Sequence, residues 1–245
     1  MANLPLNSPP SSPNLVVETI SGRGLPLRGD NIDTDRIMPA RFLRCVTFEG
    51  IEEHVFEDDR RSASSPHPFD QARFRAAAVL AVNKNFGSGS SREHAPQGLI
   101  RWGIRGLVGE SFAEIFLGNC VALGAPCLTL ASPDLKELQA LIEADPEGQV
   151  TLDLRGRRVF FKPSSTLSPG SSAGGAASSK ASPKASPKTS PKTYSASIPE
   201  SVREAFLRGT WDATGLLLEN PGEIDAVAGR LPYVRGFEAA GRESK

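Results

Sequence analysis

Residues 76–103 read AAAVLAVNKNFGSGSSREHAPQGLIRWG and join two apolar runs through a loop rich in glycine and serine. The run Ala76–Val82 has the length of a buried strand, and Pro96 suits the first turn of a helix. The glycines between them permit a positive φ, and the serine hydroxyls lie close to unpaired amides at the helix start. The stretch therefore predicts a strand, an anion-binding loop and a helix.

The sequence after this loop continues to alternate strands and helices. Strands are predicted at 105–109 and 125–131, helices at 111–119 and from Ser132 to Pro146, and a hairpin at 149–161. Ser111 and Ser132 are the predicted N-caps, and Glu114 would complete a capping box with Ser111. This alternation is typical of an α/β domain.

The composition is that of a globular protein with no dominant charge. The chain has 245 residues, 39% of them hydrophobic and 23% charged, and its 28 basic residues balance 28 acidic ones. We therefore expect no general affinity for nucleic acid or for a membrane surface. No apolar run is long enough to span a bilayer, and residues 1–14 lack the features of a secretory signal. We expect a cytoplasmic protein with a flexible N-terminus over 1–14.

A change of composition separates the C-terminal part of the chain from the rest. Residues 163–197 contain no acid and almost no large apolar residue, which predicts a disordered Ser/Pro/Lys linker. Two alternatives give this linker a function, as a basic tether for an acidic partner or as a site of Ser-Pro phosphorylation. The core would then cover 15–162, with a helical segment at 198–245 that docks on it.

Two sets of residues could bind a metal. Cys45, Cys120 and Cys127 are separated by 75 and 7 residues, which matches no zinc or iron-sulfur pattern. We interpret them as reduced, mostly buried side chains, with a metal or redox role as the alternative. Asp30, Asp33 and the nearby Asp35 could bind a divalent cation or could form a polar turn. No metal site is predicted in this chain.

Three stretches together resemble the small subunits of the 3-isopropylmalate dehydratases, within the aconitase superfamily. They are NIDTDRIMPARFL at 31–43, NFGSGSSREHAPQGLIRWGIRGLVGESFAEIFLGNC at 85–120, and LGAPC at 123–127. The resemblance covers about residues 15–160 and, more loosely, 198–234. The linker departs from the family pattern, as does Ser88, which stands where many relatives have cysteine.

The resemblance implies a fold, a reaction and a partner. The fold would be a β/β/α swivelling domain that closes over a separate large subunit. That subunit would carry a 4Fe-4S cluster, and this chain would bind no cofactor itself. The reaction would interconvert 2-isopropylmalate and 3-isopropylmalate by dehydration and rehydration, in leucine biosynthesis. The cluster would act as a Lewis acid for the departing hydroxyl.

The resemblance also assigns roles within the loop. Ser90 would be the base that removes a proton from the substrate, with Arg92 binding a substrate carboxylate through its planar fork. Ser91 would help to position the same substrate. The structural alternatives are a helix cap for the serines, and for Arg92 an ion pair that ties the loop to an acid.

Other residues are expected to support or extend this site. Gly87 and Gly89 would shape the loop, and Glu93 and His94 would stabilise it, although His94 in isolation could be catalytic. Asp35 matches an acid that, in the superfamily, contacts a histidine of the cluster-bearing partner, and we group it with the substrate-binding residues.

The residues that would select the substrate side chain are less well defined than those of the loop. Leu43, Val46 and Phe48 fall where relatives carry a substrate-selecting loop, but core packing explains them equally well. His54 and His67 are interpreted as surface or core histidines.

Two other functions remain open at this point. The first is the small subunit of a related hydro-lyase, of the homoaconitase or methylmalate/citraconate type, which only the side-chain pocket would distinguish. The second is a non-catalytic module that binds an anion or nucleic acid.

Overall fold

The computed structural model describes residues 15–45, 47–90, 92–164, 191–218 and 220–235. Within these ranges, seven strands form one sheet in the order β4-β3-β2-β1-β5-β6-β7. The strands are β1 (Thr19–Leu27), β2 (Ala77–Val82), β3 (Gly106–Gly109), β4 (Cys127–Thr129), β5 (Gln149–Asp153), β6 (Arg158–Lys162) and β7 (Lys192–Ser195).

Eight α-helices accompany the sheet in the described part of the chain. They are α1 (Thr34–Ile37), α2 (Glu57–Ser62), α3 (His94–Trp102), α4 (Glu114–Ala122), α5 (Ser132–Ala144), α6 (Glu200–Arg208), α7 (Ala213–Leu218) and α8 (Pro221–Ala228). None of these helices is long and apolar enough to cross a membrane.

The sheet has a parallel half and an antiparallel half that meet at β1. Strands β1 to β4 run parallel, as expected where helices connect them, whereas β5, β6 and β7 form an antiparallel meander. Leu25 of β1 pairs with Leu80 of β2, and both are fully buried. Because β1 and β2 are parallel neighbours, the loops that follow them emerge at the same edge of the sheet.

The predicted alternation of strands and helices is confirmed, but both predicted N-caps are wrong. The N-cap of α4 is Ala113, two residues later than expected, and α5 is capped by Ala131; neither cap makes a side-chain hydrogen bond. Ser132 is instead the first helical residue of α5. The Ser111 hydroxyl accepts a hydrogen bond from the Asn85 amide at 2.8 Å, so it is used to anchor the preceding loop.

The predicted linker ends earlier than the sequence suggests. Its last residues form β7, which pairs with β6, and Tyr194 lies opposite Val159 with only 5% of its surface exposed. Lys192 adds an ion pair to Glu137 at 2.8 Å. The lysine and proline repeats before β7 make this short strand hard to recognise in the sequence, although Thr193 and Tyr194 have high β-propensity. Residues 165–190 of the predicted linker lie outside the described residues.

The C-terminal helices differ in how they pack. Phe206 of α6 is fully buried, and the Trp211 indole that follows donates to the Leu15 carbonyl at 2.6 Å. Helix α8 buries none of its side chains. Helix α6 therefore packs into the core, whereas docking of α8, which has no buried side chain, stays a prediction.

These boundaries predict different effects for two deletions. Replacing residues 168–188 with a short Gly/Ser bridge should leave the melting temperature nearly unchanged, because their composition predicts a linker and the length of a flexible linker has little effect on stability. Extending the deletion through Ser195 removes β7 and should lower the free energy of unfolding by about 2 kcal/mol, the order expected for losing one buried aromatic side chain. Thermal denaturation of both variants checks this, and equal melting temperatures would show that β7 contributes nothing.

Candidate functional site

The glycine-serine loop after β2 is bound to the turn that follows β1. The Gly87 amide donates to the Ile32 carbonyl at 2.8 Å, and the Thr34 amide donates to the Ser88 carbonyl at 2.8 Å. Asp33 and Ser88 also form a parallel bridge. The two segments thus continue the pairing of β1 and β2 beyond the ends of both strands.

The opposite side of the loop is bound to the segment before α4. The Phe86 amide donates to the Ser111 carbonyl at 3.1 Å, and the Ala113 amide donates to the Phe86 carbonyl at 2.9 Å. At the base of the loop, the nearly buried Asn83 accepts from the Gly29 amide and donates to Glu110. The loop is therefore fixed on both sides before it reaches Ser90.

Gly87 and Gly89 have the conformations that the sequence suggested. Their φ angles are +78° and +99°, in the region that favours glycine. A Cβ atom on Gly87 would overlap the buried ring of Phe116. Gly87 is thus required both for its backbone conformation and for the close approach of α4.

Ser90 and Arg92 come together at the exposed end of this loop. The Ser90 side chain accepts a hydrogen bond from Nη2 of Arg92 at 3.4 Å, and Nη1 of Arg92 donates to Oδ1 of Asp35. Arg92 is largely covered, with 18% of its side chain exposed, whereas Ser90 is exposed and Asp35 is half exposed. A serine hydroxyl next to a guanidinium is thereby presented at the edge of the sheet. Ser91 lies outside the described residues.

The geometry excludes a helix-cap role for Ser90 but shows an ion pair between Arg92 and an acid. Helix α3 begins at His94, and its N-cap, Glu93, makes no side-chain capping bond. Ser90 lies three residues before that cap, so it is not the cap of α3. Arg92, in contrast, does pair with an acid, because it bonds to Asp35.

Glu93 and His94 occupy supporting positions. Glu93 accepts a hydrogen bond from Gln97 Nε2 at 2.8 Å, one turn further along the helix. The His94 ring packs edge-on against Phe48, with centroids 5.1 Å apart. These contacts support the interpretation that both residues stabilise the loop.

The acidic turn has no vacant set of carboxylates for a cation. Asp30 accepts from the Lys84 amide, Asp33 caps α1 by accepting from the Arg36 amide at 2.8 Å, and Asp35 binds Arg92. No group of three or more His, Cys, Asp or Glu side chains suited to a metal ion occurs in the described ranges. The polar-turn interpretation of these aspartates is the one that the contacts favour.

The cysteines do not have the arrangement that an iron-sulfur cluster requires. Cys45 is exposed, whereas Cys120 and Cys127 are buried in the core. Burial raises the pKa of the Cys120 thiol, which disfavours the thiolate form that binds iron. This chain's cysteines therefore do not fit such a cluster.

The two described residues of the predicted selecting loop, Leu43 and Phe48, are both partly buried. Phe48 is partly buried against the core, and Leu43 is half-buried in a 3-10 helix at Ala40–Arg44. Val46 lies outside the described residues. Core packing thus accounts for Phe48, and substrate contact by Leu43 stays a prediction.

The two other histidines lie among aromatic residues. His54 stacks on Phe42 with centroids 3.9 Å apart, and its Nδ1 lies 2.7 Å from a Glu57 carboxylate oxygen. Burial lowers the pKa of His67, which packs beside Phe56. Both contacts fit the structural interpretation of these residues.

Sequence reasoning missed two residues that determine the loop's position. The sequence pattern predicts a helix cap at Ser111 and gives no signal for Thr34, which lies between two aspartates. Both act through contacts between segments 26 and 56 residues apart in the chain. Only the parallel pairing of β1 with β2, which brings the two loops to one edge, could have indicated Thr34.

The amino-acid sequence matches a known protein family and named relatives. Residues 14–133 match the model of the aconitase C-terminal domain. A 3-isopropylmalate dehydratase small subunit from Synechocystis sp. is 46% identical over 218 residues, which cover 89% of this chain and 95% of the relative. The protein of the same name from Thermus thermophilus is 41% identical over 222 residues, covering 89% and 96%.

A solved structure shares the fold. The crystal structure of a 3-isopropylmalate dehydratase from Methanocaldococcus jannaschii superposes with a TM-score of 0.51 at 19% identity, covering 83% of this chain and 99% of the other. The predicted α/β fold of the swivelling-domain type is thus confirmed.

Proposed function

Because the chain belongs to the family of 3-isopropylmalate dehydratase small subunits, in the aconitase superfamily, we propose that its loop at 83–93 performs the proton-transfer half of the reaction. The family's enzymes are hydro-lyases of leucine biosynthesis that interconvert 2-isopropylmalate and 3-isopropylmalate. The observation that carries the proposal is the exposed Ser90 hydroxyl beside the Arg92 guanidinium, on a loop fixed at both sides.

Ser90 would act as the base. The proton that leaves 2-isopropylmalate comes from a methylene carbon beside a carboxylate, and the electrons of that C–H bond form the alkene as the C–O bond breaks. A serine accepts such a proton only if its alkoxide is stabilised. The guanidinium of Arg92, 3.4 Å from Ser90 Oγ, supplies a fixed positive charge for this purpose.

Arg92 would also bind a substrate carboxylate. A guanidinium has five N–H donors in one plane, and Asp35 and Ser90 engage two of them in the contacts between described residues. Further donors can then bind a carboxylate while Asp35 fixes the orientation of the fork. Asp35 would contribute to substrate binding through Arg92, and a contact with the partner's histidine would use its exposed face.

The other half of the reaction, departure of the hydroxyl, is assigned to a second protein. The cysteines of this chain do not fit a 4Fe-4S cluster, so we place that cluster on a large subunit, where it would serve as the Lewis acid. Membership in a small-subunit family supports such a partner. We expect the resulting complex to act in the cytoplasm.

Reconstitution with a candidate large subunit under anaerobic conditions tests this proposal. The mixture should convert 2-isopropylmalate, with a kcat/KM at least tenfold higher than for homoaconitate or a methylmalate, because losing the apolar contacts of the isopropyl group lowers kcat/KM by about that factor. Each protein alone, assayed at the same concentration, is the control. A preference for one of these other substrates would assign the chain to a related hydro-lyase.

A further inference from the structure

Thr34 makes two hydrogen bonds to the loop that carries Ser90. Its amide donates to the Ser88 carbonyl at 2.8 Å, and its hydroxyl donates to the Ser90 carbonyl at 3.2 Å. The residue is 2% exposed and is the first residue of α1. A buried threonine thus bonds directly to the peptide group of the proposed base.

From these contacts we infer that Thr34 is a positioning residue, whose hydroxyl sets the orientation of Ser90 toward the substrate. This inference rests on the proposed role of Ser90. A base must lie within about 3 Å of the proton that it removes, and a misplacement of about 1 Å can cost 10²-fold in rate. The carbonyl bonded to Thr34 belongs to Ser90 itself, so a shift of that peptide also moves the Ser90 side chain.

The local backbone explains why an external restraint is useful here. Gly89 directly precedes Ser90 and has a φ of +99°, and glycine limits its own conformation less than any other residue. Thr34 lies close enough to restrict the backbone conformation here, since a Cβ atom on Gly89 would lie 3.3 Å from Thr34 Oγ1. A side chain at position 89 would therefore crowd the Thr34 hydroxyl.

The turn that contains Thr34 is itself fixed on either side. Asp33 caps α1 by accepting from the Arg36 amide, and Asp35 binds Arg92. Thr34 therefore holds the Ser90 carbonyl in a fixed position, while Asp33 orients α1 and Asp35 orients the Arg92 guanidinium.

The test is Thr34→Val in the reconstituted complex. Valine keeps the shape and the amide bond to Ser88 but lacks the hydroxyl. We expect kcat for 2-isopropylmalate to fall about 10- to 100-fold with KM changed less than threefold. The primary deuterium isotope effect on kcat should rise, because removal of the proton becomes slower relative to the other steps. Thr34→Ser, which restores a hydroxyl, should return kcat to within about threefold of the native value.

Thr129 provides a matched control at β4. Its hydroxyl donates to the Ser197 carbonyl at 3.3 Å and its amide donates to the same carbonyl at 2.8 Å, two strands away from β2. Thr129→Val removes the same kind of bond and should leave kcat and the isotope effect unchanged.

Several outcomes would overturn the inference. One is a Thr34→Val complex with native kcat; another is a loss of kcat without a larger isotope effect, which would indicate a purely structural defect. If Thr34→Val does not assemble, Thr34→Ala and Thr34→Ser are compared in its place, and equal kcat values refute the role of the hydroxyl. Ser90→Ala is measured in parallel. Native turnover of Ser90→Ala would refute the proposed function and this inference with it, whereas a slow Ser90→Ala beside a native Thr34→Val would refute the inference alone.

Discussion

In complex with a large subunit, Ser90→Ala is expected to lower kcat for 2-isopropylmalate by about 10²- to 10⁴-fold, the usual contribution of a positioned acid or base. This corresponds to about 3 to 5 kcal/mol of barrier. KM should change little, because the Arg92 guanidinium that binds the substrate carboxylate remains in place. Steady-state kinetics on the reconstituted complex measure both constants.

Complex formation must be checked for this variant, because lost assembly would also lower turnover. Ser90 is exposed and its side chain buries no apolar surface, so gel filtration should show a native amount of complex. Ser21→Ala is a suitable control, since Ser21 bonds to Thr151 at the junction of β1 and β5 and should leave kcat unchanged. Near-native turnover by Ser90→Ala would place the base elsewhere.

Arg92→Lys should produce a different defect, because a carboxylate-binding group acts already in substrate binding. Lysine keeps the positive charge and can pair with Asp35, but a single ammonium cannot also donate to Ser90 and to a substrate carboxylate in one plane. We expect KM to rise about 10- to 100-fold and kcat to fall as well, since both orientation and alkoxide stabilisation are weakened. The same kinetic assay separates the two effects.

Arg101→Lys is the matched control for this substitution. Arg101 is an exposed residue on α3, the helix that follows the loop, and it bonds to Gln97 at 3.3 Å. Its replacement should leave both constants nearly native. An unchanged KM in Arg92→Lys would mean that Arg92 serves only to tie the loop to Asp35.

The sequence was sufficient for the features that depend on local pattern. The strand Ala77–Val82, the helix after the loop and the need for glycine at Gly87 all follow from composition and backbone preference within a few residues. The hairpin at β5 and β6 follows from alternation around a tight turn.

What the sequence did not predict depends on contacts between distant segments. Ser111 is predicted to cap a helix but binds Asn85, and no local pattern indicates that Thr34 contacts Ser90, 56 residues away. Strand β7 was assigned to the linker because the lysine and proline repeats before it dominate the composition, while its pairing with β6 is not visible in the sequence. In each case a contact between distant segments decides which local possibility is realised.

The most direct measurement of the central claim, that Ser90 removes the proton, is a single-turnover experiment. Reconstituted complex in excess is mixed with 2-isopropylmalate carrying deuterium on the methylene carbon, and the rate at which deuterium leaves that carbon is followed. The account predicts that Ser90→Ala slows this step by about 10²- to 10⁴-fold at equal complex concentration. Equal rates in the native and Ser90→Ala complexes would contradict it.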